Sequence, residues 1–117
     1  MRTNIIHNES CLDTMARMGN QSVDVVITSP PYNMNLRIRN GKYCSRQVVE
    51  NDFSNKYSEF SDNMPIDEFY DFHCQVLREL LRVSELVFYN IQIVTGSKRA
   101  FFKMIGTFSD KLKDIIV

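Results

Sequence analysis

The sequence predicts an α/β fold in which a mostly parallel sheet is flanked by helices. Short runs of β-branched and apolar residues, such as 23–28 and 86–94, have the length and composition of strands. Segments with an apolar residue at every third or fourth position lie between these runs, as in helices that bury one face. Strands that alternate with helices along a chain build parallel sheets through crossover connections.

The first third of the chain predicts strand, helix and strand in turn. Residues 4–7 form a short apolar run that predicts a strand. Ser10 is suited to cap the following helix, with Asp13 in the capping-box position. Val23–Thr28 is almost wholly apolar, which predicts a strand covered on both faces. Ser29-Pro30-Pro31-Tyr32 ends that strand, because proline cannot donate to a sheet ladder.

Residues 33–64 show no hydrophobic periodicity. A stretch this long without regular structure is rare in a compact domain unless it is functional or mobile. We therefore interpret it as a mobile active-site flap. A helix is predicted from Ile66 to about Arg82, followed by a strand over 86–94. A turn at 95–97 leads into a helix, and residues 114–117 predict a last strand. The aromatic residues of the second half are assigned to the core: Phe88, Tyr89, Phe101 and Phe102.

Composition and charge exclude several classes of protein for this chain. Lys plus Arg and Asp plus Glu each number 14, so the net charge is zero, which excludes an overall basic field but not a local basic patch. No apolar run is long enough to span a bilayer, and we expect a cytoplasmic protein without membrane contact. The three cysteines contain no C-x-x-C pair, so neither a disulfide framework nor a metal site is expected.

The segment that predicts chemistry is Ser29-Pro30-Pro31-Tyr32, because ligands bind at the carboxyl ends of strands in open α/β sheets. The two prolines stiffen the backbone and remove two N–H groups, which leaves acceptors beside the aromatic face of Tyr32. Acceptors next to a stacking ring suit a planar group that carries an NH2, such as a nucleobase. The alternative is a structural proline turn or a polyproline ligand for an aromatic groove.

Residues 26–33, Val-Ile-Thr-Ser-Pro-Pro-Tyr-Asn, resemble the catalytic motif of the amino-group DNA methyltransferases. The resemblance extends over nearly the whole chain, and its one highly specific part is Ser29 to Tyr32. It implies a partial Rossmann-like sheet of the S-adenosylmethionine-dependent methyltransferases, in which residues 1–117 are the amino-terminal part of the domain. It also implies double-stranded DNA as partner, base flipping, and methylation of an exocyclic amine, with Ser29 favouring cytosine-N4 over adenine-N6.

In the subgroup that the chain resembles, the catalytic motif precedes the glycine loop that binds the cofactor. That loop is missing, since Gly19, Gly41, Gly96 and Gly106 never form a G-x-G pattern. The resemblance therefore implies that the carboxyl-terminal half of the sheet is absent. Where the family usually has Gly-Asp-Cys near the cofactor's adenine, this chain has Glu9-Ser10-Cys11, which makes Ser10 and Cys11 candidate cofactor contacts. Capping remains the favoured role of Ser10.

Four basic residues follow the motif without an acid among them: Arg37, Arg39, Lys42 and Arg46. They are candidate contacts to the DNA backbone, or alternatively the solvated side chains of a loop. Two further alternatives concern the protein as a whole. In the first, the chain is an inactive remnant, or half of a split enzyme that needs a partner chain or a second copy of itself. The second keeps the methyl-transfer chemistry but makes RNA or a protein amide the substrate.

Overall fold

The computed structural model describes residues 2–33, 38–39, 42–43 and 64–117. Its elements confirm an α/β architecture with a parallel pair of strands and flanking helices. In chain order they are α1 (Cys11–Ala16), β1 (Val23–Thr28), β2 (Ile38–Arg39), β3 (Lys42–Tyr43), α2 (Ile66–Val83), β4 (Ser84–Tyr89) and α3 (Lys98–Thr107), with a 3-10 turn at Thr95–Ser97 before α3.

The chain divides into two compact units. The first consists of residues 1–30 and 71–90, so it holds α1, β1, β4 and most of α2. The second consists of residues 31–70 and 91–117, so it holds the start of α2, the 3-10 turn and α3. Each unit therefore combines segments that are distant in sequence.

The sheet of the first unit pairs β1 with β4 in parallel, as predicted. The register runs from Val23 opposite Ser84 to Thr28 opposite Tyr89. Parallel neighbours need a crossover connection, and α2 lies in the connection between these two strands. Both strands therefore end at the same edge, with Ser29 and Asn90 as the next residues.

The core of the first unit lies between α1, α2 and one face of this sheet. Four buried side chains form it: Met15, Val76, Leu80 and Val83. The half-buried residues packed against it include Val26 and Val87 from the sheet. The helical spacing on α2 thus predicted the buried face correctly, because positions three and four apart lie on one side of a helix.

Arg82 ties the end of α1 to α2. Its guanidinium donates to the carbonyl oxygens of Met15 (2.7 Å) and Met18 (2.9 Å), and to Oδ1 of Asn20 (3.0 Å). A fork of two 2.8 Å bonds to Glu79 holds it in place. The last carbonyl groups of a helix lack partners within the helix. Arg82 supplies partners to carbonyl groups at that end, which keeps α1 in position against α2.

In the second unit, Phe69, Ala100 and Met104 are buried. The helix predicted after the turn at 95–97 is present as α3, with Gly106 in its last turn. Two side-chain contacts join α2 to α3: the hydroxyl of Tyr70 shares a 2.6 Å hydrogen bond with that of Thr107, and Nζ of Lys103 lies 4.4 Å from the centre of the Tyr70 ring.

Two predicted strands are absent, and a third is shorter than predicted. Residues 4–7 and 114–117 have no strand structure, and Ile6 and Ile116 are 97% and 79% exposed. The strand predicted over 86–94 ends at Tyr89. The reason for this early end is the neighbouring strand: β1 stops at Thr28, before the prolines, so among the described residues nothing continues the ladder beyond Asn90.

The prediction that β1 is covered on both faces is also wrong for the described residues. The face turned away from the core is open, with Val25 at 46% and Ile27 at 77% exposure on β1, and Leu86 and Phe88 at 37% and 44% on β4. Phe88 is therefore not a core residue. Phe102, which is 60% exposed, is not one either.

Candidate functional site

Ser29 and Asn90 lie side by side at the carboxyl edge of the parallel strands. The backbone N–H of Asn90 donates to the carbonyl oxygen of Thr28 over 2.8 Å, which continues the ladder by one bond. The side-chain Nδ2 of Asn90 donates to Oγ of Ser29 over 3.0 Å. Both side chains are exposed to solvent. The first motif residue is therefore oriented by a residue 61 positions further along the chain.

This hydrogen bond defines what the Ser29 hydroxyl can still do. A serine hydroxyl offers one O–H donor and two acceptor lone pairs. Asn90 occupies one lone pair, so one acceptor position and the hydroxyl proton remain available for a ligand. An amino group beside a ring nitrogen, as on cytosine or adenine, presents a donor next to an acceptor. The hydroxyl of Ser29 matches that pair of functions.

An aromatic contact between buried His73 and half-buried Tyr89 supports the end of β4, directly before Asn90. Nδ1 of His73, which is 1% exposed, lies 2.5 Å from the phenolic oxygen of Tyr89. The two rings meet edge to face at 5.6 Å between centroids. Burial raises the pKa of Tyr89, so the phenol keeps its proton at neutral pH. The contact fixes the end of β4 against α2 and so positions Asn90.

The rest of the motif belongs partly to the other unit, because the division falls between Pro30 and Pro31. Pro30 is buried, whereas Pro31 and Tyr32 are half-buried. Asn33 follows with φ of 60°, in the left-handed region that asparagine tolerates better than most residues. This turn directs the chain away from the extended geometry of the prolines immediately after Tyr32.

Asn33 also connects segments of the second unit. Its Nδ2 donates to the carbonyl oxygen of Met64 (2.9 Å) and lies 3.0 Å from Oγ of Ser97, which is buried. Asn33 and Met64 are the two end residues of the predicted flap, and this hydrogen bond joins them. Ser97 directly precedes α3. The segment that follows Tyr32 is therefore bonded to the start of α3.

The candidate cofactor contacts, Ser10 and Cys11, lie at the start of α1. Oγ of Ser10 accepts from the backbone N–H of Leu12 over 3.3 Å, which confirms the predicted cap of α1. Cys11 is the first residue of α1, and the loss of water around its sulfur raises the pKa of the thiol although the residue is exposed overall. The thiol therefore stays protonated at neutral pH.

Two of the four candidate DNA contacts, Arg37 and Arg46, lie outside the described residues, as does most of the predicted flap. The other two, Arg39 and Lys42, are backbone neighbours in the short antiparallel pair of β2 and β3. This pair gives part of the flap a regular structure, which the sequence did not predict.

The sequence does not predict the contacts that Asn90 and Asn33 make. The strand predicted over 86–94 places Asn90 in its interior, and Asn33 is only the last residue of the segment that resembles the catalytic motif. A signal for Asn90 exists in the sequence: it is the first polar residue after the apolar run that begins at Leu86, as Ser29 is after the run of β1. The carboxyl ends of parallel strands share one edge, so such pairs are candidates for contact.

No family model, curated protein or solved structure matches the chain. Across residues 2–33 and 64–117, no three His, Cys, Asp or Glu side chains lie close enough together to hold a metal ion. None of the described helices has the length and apolar character needed to cross a bilayer. The assignment of a function therefore rests on the motif and its surroundings alone.

Proposed function

We propose that the chain provides the base-binding part of a DNA methyltransferase that acts on an exocyclic amine, with cytosine-N4 favoured over adenine-N6. The observation that carries this proposal is the arrangement at the edge of the sheet. Ser29-Pro30-Pro31-Tyr32 begins where β1 ends, and Asn90 at the end of β4 orients the Ser29 hydroxyl over 3.0 Å. Within this proposal, the α/β architecture corresponds to part of a Rossmann-like methyltransferase sheet.

The chemistry required of the motif is activation of a poor nucleophile. The lone pair of a base amine is delocalised into the ring, so the nitrogen attacks weakly. Hydrogen bonds from its two N–H groups to Oγ of Ser29 and to the carbonyl oxygen of Pro30 favour a tetrahedral nitrogen with a localised lone pair. These acceptors act by position and electrostatics, and no covalent intermediate with the protein is needed.

Tyr32 has the complementary task of holding the base outside the helix. A base in duplex DNA cannot reach a protein site while it is stacked, so it must be flipped out, at a cost of a few kcal/mol. Stacking on an aromatic side chain stabilises the flipped base by about 1–3 kcal/mol. Tyr32 lies three residues after Ser29 and is half-buried, so part of its surface remains for such a contact. Pro31 holds the turn between the two.

S-adenosylmethionine is the methyl donor that the motif implies, but the described residues do not fit this cofactor. The glycine loop has no counterpart in the sequence. Oγ of Ser10 is engaged in the cap of α1. The contribution derived from this chain is therefore confined to binding and polarising the base.

The open face of the sheet favours a second candidate, a protein that needs a partner chain to complete its site. Val25, Ile27, Leu86 and Phe88 form this face and are between 37% and 77% exposed. Contiguous apolar surface of this kind is a mark of association or of aggregation. In this case the chain binds the base only weakly alone, and the partner supplies the cofactor.

The experiment compares two duplexes that differ only in whether one cytosine is mismatched. A protein that flips bases binds the mismatched duplex more tightly, because less pairing energy is lost. Tyr32→Ala is expected to reduce this preference by about 5- to 30-fold, which corresponds to roughly 1–2 kcal/mol of stacking by a half-buried ring. Tyr32→Phe keeps the aromatic face and is the matched control.

Equal affinity of the wild-type chain for both duplexes contradicts the proposal, and so does a preference for the mismatched duplex that survives Tyr32→Ala.

A separate titration with S-adenosylmethionine distinguishes the two candidate functions. Micromolar binding by the chain alone contradicts the conclusion that its residues do not fit the cofactor, whereas binding that appears only with a partner chain supports the second candidate.

A further inference from the structure

The exposed side of α3 carries three cations and an aromatic ring. Lys98, Arg99, Phe102 and Lys103 lie at helical spacings that place them on one side, and all four are exposed. We call this set the α3 basic face. On the opposite side Ala100 is 3% and Met104 5% exposed, so the helix is anchored in the second unit by its apolar residues.

No carboxylate of the described residues forms an ion pair with the α3 basic face. The sequence contains no acidic residue between Glu85 and Asp110, although the chain as a whole has zero net charge. Within the described part of the chain, the two ion pairs are Glu9 with Arg17 and Glu79 with Arg82, and neither includes a residue of α3.

The position of these cations does not serve the stability of the helix. Lys98 and Arg99 are in the first turn of α3, which contains no acidic residue. The positive end of the helix dipole disfavours a cation there by about 0.3–1 kcal/mol. Lys103 is held over the ring of Tyr70 at 4.4 Å, so its ammonium group is partly ordered before any ligand binds.

The α3 basic face begins beside the candidate motif. Asn33, the residue after Tyr32, is hydrogen-bonded to Oγ of Ser97, and Ser97 directly precedes Lys98. Within the second unit, the ring proposed to stack on a base and the cations of α3 are therefore connected by one hydrogen-bonded side chain.

We infer that the α3 basic face binds the backbone phosphates of the duplex DNA that flank the flipped nucleotide, an inference that deepens the proposed function by naming a surface for its partner. Cations without local carboxylate partners complement a polyanion. An anionic membrane fits less well, because a helix at a bilayer surface inserts its apolar side, and here Ala100 and Met104 are buried in the protein.

The test measures the salt dependence of binding to a short, fully paired, labelled DNA duplex. Each phosphate contact contributes about 0.9 to the slope of log affinity against log salt, or roughly eightfold in affinity at about 0.1 M salt. The double substitution Lys98→Gln with Arg99→Gln is expected to lower the slope by about 1.8 and the affinity by up to about 60-fold. Lys103→Gln alone is expected to lower the slope by about 0.9.

The matched control is Lys111→Gln with Lys113→Gln, which removes the same charge from exposed positions outside α3. It should leave the slope almost unchanged. The exchange Lys98→Arg with Arg99→Lys keeps the charge and should retain binding. Equal losses in the α3 pair and in the control pair would overturn the inference, because they would reflect net charge alone. Binding to phosphatidylserine vesicles without binding to duplex DNA would also overturn it.

These experiments distinguish failure of the proposed function from failure of this inference. If the α3 substitutions weaken binding to every duplex alike while the chain shows no preference for the mismatched cytosine, the phosphate surface stands and the base-binding role of Tyr32 fails. If the mismatch preference depends on Tyr32 but the α3 substitutions have no effect, the base-binding role stands and this inference fails.

Discussion

Removal of the Asn90 side chain tests whether this residue acts through Ser29. Asn90→Ala removes the 3.0 Å hydrogen bond to Ser29, which joins two exposed, uncharged groups, while the backbone bond from Asn90 to Thr28 remains. Such a bond is worth about 0.5–1.5 kcal/mol. The expected loss of affinity for the mismatched duplex is therefore about 2- to 12-fold. It arises because the Ser29 hydroxyl is no longer held with its lone pair toward the base amine.

A double-mutant cycle distinguishes this mechanism from a general effect. In a Ser29→Ala background the partner of Asn90 is already absent, so Asn90→Ala should change the affinity by a factor close to one. The measurement is fluorescence anisotropy with the mismatched duplex for the wild type, both single variants and the double variant. Asn8→Ala, which truncates an exposed asparagine in the amino-terminal segment, is the control for loss of an amide.

Equal losses from Asn90→Ala in both backgrounds would falsify the reasoning, because Asn90 would then act independently of the Ser29 hydroxyl. No loss in the wild-type background would show that the orientation of this hydroxyl does not contribute to binding. Circular dichroism and the urea midpoint of each variant must match the wild type for the comparison to apply, and the exposure of both side chains favours this.

Three further predictions concern stability. Arg82→Ala should lower the free energy of unfolding clearly more than Arg99→Ala does in the same urea titration, since only Arg82 donates to Met15, Met18 and Asn20. Asn33→Ala should be more destabilising than Asn33→Gly by about 1–2 kcal/mol, because both lose the bonds to Met64 and Ser97 but only alanine is strained at φ of 60°; equal effects would show that the backbone relaxes. The bond to Arg82 holds the pKa of Glu79 below its usual 4.5, so its stabilisation is complete above that pH and is lost as the pH falls through the lowered value. Unfolding measured from pH 6 to 3 should therefore depend less on pH in Glu79→Gln than in the wild type.

The elements with strong local signals were predictable from the sequence. The cap at Ser10, the apolar run of β1 and the periodicity of α2 each depend on neighbouring residues, and the structure confirms all three. The strands predicted at 4–7 and 114–117 were wrong because an apolar run becomes a strand only when another strand pairs with it. Ile5 and Ile115 have apolar side chains but no such neighbour among the described residues.

The sequence by itself determined the α/β class, the place of the motif at the end of β1, and the chemical character of Ser29 and Tyr32. Those properties follow from residue types and short spacings. Only the tertiary structure decided which polar group meets Ser29, because the contact with Asn90 depends on the parallel register of two strands 61 residues apart. It also decided that one sheet face is open and that Asn33 is bonded to the start of α3, since burial and contact depend on the packing of distant segments rather than on local pattern.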